Sequence, residues 1–249
     1  LLKRQRGRGR RLRILAKALA VALGVLALLS VLSVGLLRWL DPPGSAFMLR
    51  HWLTASWAGE PRPRLYHEWV GTEAIAPAMV LAAVAAEDQR FPKHHGFDLV
   101  QLKQAWADYQ AGGRLRGAST ISQQTAKNLF LWPGRDPLRK VLEAWLTLLI
   151  ETLWPKERIL EVYLNIAQFG PDTYGVGAAS WRLFDRPAVA LTRSQAARLA
   201  AVLPNPELYR VQSPSATVRH RTDWILRQMR QLGGVGYLER VWPTGAGAL

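Results

Sequence analysis

The chain contains no cysteine among its 249 residues. Disulfides and thiolate metal sites are therefore excluded. No acidic residue precedes Asp41. No stretch alternates apolar and polar residues long enough to mark a strand, and no internal repeat is visible. The glycine-rich stretch Gly170 to Gly177 (GPDTYGVG) lacks the Lys-Ser/Thr ending of a phosphate loop. These absences leave a mainly α chain with ample apolar content for one core.

What is present in excess is positive charge. The formal net charge is +15. Lys3, Arg4, Arg6, Arg8, Arg10, Arg11, Arg13 and Lys17 contribute eight of it, leaving about +7 for the remainder, a basic body suited to an anionic partner. Residues 18–37 are uncharged and apolar, about 20 residues, enough for a helix to cross a bilayer's hydrocarbon core. The basic run (1–17) before this span and Arg38 after it place the N-terminus in the cytoplasm and the remainder outside. A cleavable signal peptide competes, but its apolar region is usually shorter, and no clear Ala-x-Ala site follows Leu37. A retained single-pass anchor is the expectation. Beside a span, the basic run reads more simply as a topology signal than as a nucleic-acid tail, and no nucleic-acid partner is expected.

Residues 38–70 carry Trp39, Phe47, Met48, Trp52 and Trp57 among Pro42, Pro43, Gly44, Pro61 and Pro63. They predict a semi-extended juxtamembrane connector with interfacial aromatics. From 71 to 249 one helical domain is expected. Asp98 with Gln101 signals a helix start toward Gln110, and Gly112-Gly113 a stop. Asp136-Pro137 reads as N-cap and N1 of a helix to Leu153, with Leu138, Val141, Leu142, Trp145, Leu148, Leu149 and Thr152 on its expected buried face. A helix from Lys156 to about Ala167 turns Ile159, Leu160, Val162, Tyr163 and Ile166 inward. Thr192 with Gln195 caps another, and an amphipathic basic helix of about 216–232 precedes a glycine-rich tail.

The residues that bear chemistry fall into four groups. An apolar run, Ala74 to Ala86, delivers Glu87 and Asp88 to the end of a buried helix. There, desolvation and the helix dipole raise a carboxylate's pKa toward the range of a general base. An isolated Glu-Asp pair is more often solvated. In Gly117 to Leu131 (GASTISQQTAKNLFL), Ser119, Thr120, Gln123, Gln124, Lys127 and Asn128 line up donors, with Gln123/Lys127 and Gln124/Asn128 at i,i+4. Such a row suits hydroxyls, amides and phosphate oxygens, although alone it is more often a solvated face. Arg139-Lys140-x-x-Glu143 is, by itself, an ordinary surface ion pair. Glu161 and Asn165 share one face of the Lys156 helix. His94-His95 makes a poor metal site, since adjacent side chains diverge, and no metal ligand is assigned.

In this order the groups resemble the successive motifs of the peptidoglycan glycosyltransferase family: Glu87-Asp88-x-x-Phe91-x-x-His94-His95-Gly96, Gly117-x-Ser119-Thr120-Ile121-x-Gln123-Gln124-x-x-Lys127-Asn128, Arg139-Lys140-x-x-Glu143, and Ile159-Leu160-Glu161-x-Tyr163-Leu164-Asn165. The stretches Gly175-x-Gly177-Ala178-Ala179 through Leu183-Phe184, Gln195-Ala196-Ala197-x-Leu199-Ala200 and Leu203-Pro204-Asn205-Pro206 are similar to the fifth. The likeness covers roughly residues 70 to 235. It implies a lysozyme-like helical lobe with a more hydrophobic lobe at the membrane, polymerising lipid II on the outer face of the bacterial cytoplasmic membrane. On this likeness, Glu87 is the general base and Glu143 the second essential glutamate. Asp88, Phe91, His94 and His95 shape the pocket around Glu87. Ser119, Thr120, Gln123, Gln124, Lys127, Asn128 and Arg139 hold sugar and pyrophosphate, and Glu161 and Asn165 give structural support. No cofactor is obligatory, and a divalent cation, Mg or Mn, is an admissible contact. The implied partners are lipid II, the growing glycan strand, the bilayer, and penicillin-binding proteins with the division or elongation machinery.

Two departures stand out: Gln89 where the family often has a basic residue, and Phe184-Asp185-Arg186 in place of Phe-Gly-Lys or Phe-Gly-Arg. Ser-x-x-Lys and Lys-Thr-Gly, the penicillin-binding signatures, are missing. A monofunctional polymerase is therefore expected. One rival is a lytic or hydrolytic enzyme on the same polymer, disfavoured because cations beside the glutamate suit a pyrophosphate leaving group. The other is a non-catalytic scaffold or glycan-binding module of the wall machinery.

Overall fold

A computed structural model of the chain describes residues 2–59, 64–113, 119–134, 136–239 and 241, with side chains from 13 onward. Pro61 and Pro63, Gly117 of the second motif and most of the glycine-rich tail lie outside the described residues, as do the side chains of the basic run up to Arg11. The chain divides into two units, 1–40 and 41–249. The first is a single helix, α1 (Leu2–Leu36), in which Arg13–Leu36 is long and apolar enough to cross a membrane.

The second unit is almost wholly helical. Its start departs from the expected connector. Ser45 caps a twelve-residue helix, α2 (Ala46–Trp57), by accepting from the Met48 amide. A short strand, β1 (Tyr66–His67), then joins the body by pairing parallel with β3 (Thr173–Tyr174). Prolines bracket this helix rather than prevent it, because none lies inside it. β2 (Gln168–Gly170) runs antiparallel to β3, so the glycine-rich turn forms the centre of a three-stranded patch of order β1-β3-β2. Gly175 is essential to that turn. Its φ is 78°, and an added Cβ would come within 2.7 Å of the Asn165 carbonyl.

The remaining helices follow their local signals. α3 (Pro77–Glu87) starts with proline at N1 and is buried from Met79 to Ala85. α4 (Leu99–Gln110) is capped by Asp98, whose side chain accepts from the Val100 and Gln101 amides. Thr120 and Gln123 close a reciprocal capping box on α5 (Ile121–Phe130), and Asp136 caps α6 (Pro137–Leu153). α7 (Lys156–Ile166) buries the five residues expected of it, Ile159, Leu160, Val162, Tyr163 and Ile166. α8 (Val176–Phe184), α9 (Arg193–Val202), with a second capping box from Thr192 and Gln195, and α10 (Ala216–Gln231) complete the body. α3 lies against α9 and α10, while α5 lies against α6 and α7.

α6 reverses its expected face. Leu138 and Val141 are 64% and 66% exposed, and Trp145 and Leu148 are exposed as well. The buried side is Arg139, Glu143, Leu146, Thr147 and Ile150. Periodicity gives the direction of an apolar stripe but not whether the stripe meets a core or some other apolar medium.

Candidate active site

Glu87 stands at the last turn of α3, at the edge of the core. Its Oε2 accepts from Gln124 Nε2 at 3.0 Å, and its Oε1 accepts from the Arg221 guanidinium at 3.0 Å. Burial pushes the Glu87 carboxyl above the ordinary carboxylate range, opposed by the Gln124 hydrogen bond, Arg221 and Lys127. Tyr163, fully buried nearby, has its hydroxyl pushed well up by burial and then by Glu87 and Asp88, so it stays protonated.

The loop after Glu87 is held by paired polar groups. Both Asp88 oxygens accept from His94 Nε2, at 2.9 and 3.0 Å, and Oδ2 also accepts from the Ile121 amide at 3.1 Å. This ties the end of α3 to the start of α5. Phe91 is fully buried, with the Lys156 ammonium 4.2 Å from its ring centroid. Lys156 also donates to the His94 carbonyl at 2.7 Å and pairs with Glu151 at 2.8 Å, and Glu151 in turn accepts from Ser122. Gly96 has φ 86° and faces Thr147 so closely that an added Cβ would lie 2.8 Å from Cγ2.

The second motif divides. Gln124, Lys127 and Asn128 line a cavity of about 180 Å³ together with Phe47, Tyr163 and Tyr174. Thr120 and Gln123 turn away into the capping box, and the Thr120 hydroxyl donates to the Gly96 carbonyl at 2.6 Å. The cap engages the Thr120 hydroxyl and the Gln123 side-chain carbonyl oxygen. Ser119 is exposed beside residues that are not described. His95 is exposed and, unlike His94, does not share in the polar network around Glu87.

Glu143 is 2% exposed, so the third motif is a buried cluster and not a surface pair. Arg139 donates to its Oε2 at 2.6 Å, and Lys140 pairs with its Oε1. Burial lowers the Lys127 pKa most; Glu143 and Glu87 act against that fall, while Arg139 and Lys140 deepen it. The ammonium has Phe47's ring at 5.8 Å and no hydrogen bond or ion pair among the described residues. Asn128 Oδ1 and Arg139 Nε are buried and also lack a hydrogen-bond partner there. A half-buried cation with unpaired polar neighbours is a prepared anion site.

In the fourth motif, Asn165 is fully buried. Its amide donates to the carbonyls of Val70 and Glu161, both at 2.9 Å, and accepts from the Val70 amide at 2.9 Å. Glu161 accepts from Arg158, which also reaches Asp41 at 2.9 Å. Both side chains brace the chain segment before α3 and lie on the supporting side of α7.

Asp88, His94 and Asp98 bring potential metal-ligating atoms within 4.8 Å of one another. Asp88 is already bonded to His94 and Ile121, Asp98 Oδ1 caps α4, and Asp98 Oδ2 pairs with Arg90 at 3.1 Å. Glu143 likewise has a cation on each oxygen. As arranged, neither set fits a divalent cation.

Arg221 was not singled out in the sequence, where α10 gave only the signal of a basic amphipathic helix. Gln89, the departure in the first motif, is turned toward α10: its amide donates to Gln228 Oε1 at 3.0 Å and to the Ala85 carbonyl at 3.1 Å.

The geometry sets a desolvated carboxylate, Glu87, near a half-buried cation, Lys127, on a helical body. A family model described as Transglycosylase matches residues 57–230. The chain belongs to the transglycosylase family and is a glycosyltransferase. The biosynthetic peptidoglycan transglycosylase of Xanthomonas campestris pv. campestris (strain B100) is 55% identical over 211 residues, covering 84% of this chain and 85% of the relative. That of Xylella fastidiosa (strain 9a5c) is 52% identical over 223 residues, covering 90% and 92%. That of Xanthomonas euvesicatoria pv. vesicatoria (strain 85-10) is 52% identical over 210 residues, covering 84% and 85%.

Proposed function

We propose that the protein is a membrane-anchored peptidoglycan glycosyltransferase that polymerises lipid II into β-1,4-linked glycan with release of undecaprenyl pyrophosphate. The observation that carries this reading is Lys127, a half-buried cation that lines the cavity with Gln124 and Asn128 and feels both Glu87 and Glu143. Glu87 takes the proton from the acceptor sugar's 4-hydroxyl as that oxygen attacks C1 of the donor, and C1 inverts. The electron pair of the breaking C1–O bond leaves with the pyrophosphate, whose growing charge meets Lys127 and Arg139. A single inversion requires no enzyme nucleophile. Gln124 and Asn128, which line the cavity, hydrogen-bond sugar or phosphate oxygens, while Asp88, Phe91 and His94 fix the loop behind Glu87. Glu143 keeps Arg139 and Lys140 in place and balances their charge.

Localisation at the outer face of the inner membrane is supported by α1 and by the exposed apolar residues of two helices in the body. These are Leu99, Val100, Leu102, Trp106 and Tyr109 on α4 and Leu138, Val141, Trp145 and Leu148 on α6. Apolar exposure on this scale, including tryptophan and tyrosine, suits a bilayer interface better than water. A lipid-linked substrate would then be met where it resides.

Polymerisation of labelled lipid II by the purified full chain in detergent, beside Glu87→Gln, tests the reading. Polymer from the wild type with a loss of at least about 100-fold in the variant is expected. Equal polymer from both would remove Glu87 from the reaction. Cleavage of purified sacculi with lipid II untouched would replace synthesis by hydrolysis.

A further inference from the structure

Glu87 is gripped at both oxygens by side chains from helices distant in sequence. Gln124 of α5 donates to Oε2, and Arg221 of α10 donates to Oε1 from 134 residues away. We propose that Arg221 is a positioning residue for the transfer: it fixes the Glu87 carboxylate in place and in its anionic form, ready to take the acceptor's proton. The proposal rests on Glu87 acting as the general base.

α10 is built to deliver this contact. Val218, Thr222, Ile225 and Met229 are buried and seat the helix, and the Thr222 hydroxyl donates to the Val218 carbonyl at 2.8 Å. Arg221 and Gln228 are two turns apart on one face, and each grips the end of α3, through Glu87 and Gln89 respectively. The Tyr237 hydroxyl adds a third tie, donating to the Gln89 carbonyl at 2.6 Å. Only the first of these ties touches the reacting group.

The groups facing Glu87 come from three other helices: Gln124 and Lys127 from α5, Tyr163 from α7, and Arg221 from α10. Asp88, next in the chain, is turned to His94. Arg221 is the cation in direct contact, at 3.0 Å, whereas Lys127 acts without a hydrogen bond to Glu87. Burial favours the protonated acid, which is useless as a base. A contact cation opposes that preference, and a guanidinium does so without losing its own charge. The rate follows the ionised form and falls as pH drops through the Glu87 pKa. Removing Arg221 removes an influence that lowers this pKa, so the acid limb must move to higher pH.

The test is the pH profile of lipid II polymerisation by the full chain in detergent, with Gln228→Ala as a matched control for the α10–α3 contact. Arg221→Gln is expected to be slower on the order of tenfold near about pH 6, with the gap narrowing to about twofold near about pH 9. Its KM for lipid II should stay within about threefold of wild type. Gln228→Ala should keep the wild-type limb. Arg221→Lys retains the charge and should keep the limb with a loss of at most about threefold, which preserves the test if the glutamine variant does not fold. An equal loss at every pH in Arg221→Gln, a limb shifted to higher pH in Arg221→Lys, or the same limb shift in Gln228→Ala, would overturn the positioning role and leave a structural tie. Wild-type activity in Glu87→Gln would instead strike the reading of Glu87 as base.

Discussion

Lys127→Met separates catalytic charge from structural charge. The ammonium is half-buried, its pKa is lowered chiefly by that burial, and it has no hydrogen bond or ion pair among the described residues. Arg139 and Lys140 repel it, Glu143 and Glu87 attract it, and burial outweighs both. A methionine of similar length keeps the contact with Phe47 and removes an unpaired charge from a low-dielectric wall. The fold should therefore be unharmed: Tm is expected to be unchanged or higher by up to about 4 °C, the shift of roughly 1 kcal/mol in a domain of this size. Activity should move the other way. A preorganised donor aimed at developing charge is worth about 10²–10³ in rate, or about 2.7–4 kcal/mol. The loss should fall mainly on kcat, because the pyrophosphate gains charge as the C1–O bond breaks. Steady-state polymerisation of lipid II and thermal melting of the same preparation read both effects. A rate within about threefold of wild type would refute the assignment of Lys127 to the leaving group. A fall in Tm of more than about 4 °C would refute the view that burial costs this charge more than Glu143 and Glu87 return.

Two further outcomes test the scaffold around the site. Asn165→Ala removes an amide that makes three hydrogen bonds from a fully buried position, two of them to Val70. Destabilisation of roughly 2–4 kcal/mol by chemical denaturation is expected, and a change below about 0.5 kcal/mol would show that the clamp on the segment before α3 is dispensable. Asp185 ends α8 with φ 54° and ψ 47°, in the left-handed region where a side chain is strained. Asp185→Gly should therefore raise stability by about 0.5–1 kcal/mol, and a lowered Tm would show that the aspartate contributes more than its backbone costs.

Legibility in the sequence tracks the range of the interaction. The caps at Asp98, Asp136 and Thr192 act within three residues, and each helix begins where its cap stands. The inward residues of α7 followed from spacing because that helix is packed within the protein body. α2 is hidden in the sequence because Pro42, Pro43, Pro61 and Pro63 dominate a stretch whose helix needs only the Ser45 cap and a proline-free interior. The motif likeness offers both His94 and His95, and the fold alone separates them: His94 reaches Asp88, while His95 is exposed.

The sequence by itself determined the order of the motifs, the helix starts, the apolar N-terminal span and the arrival of Glu87 at the end of a buried helix. Each is a property of neighbours in the chain, settled by caps, periodicity and composition. Tertiary structure alone decided that Thr120 and Gln123 close a cap while Gln124, Lys127 and Asn128 line a cavity. It also turned the polar face of α6 inward, making Arg139 and Glu143 a buried cluster, and brought Arg221 onto Glu87 from 134 residues away. The physical reason is that a helix's periodicity fixes which residues share a face, but the surroundings of that face are set by what other helices, or a bilayer, place against it.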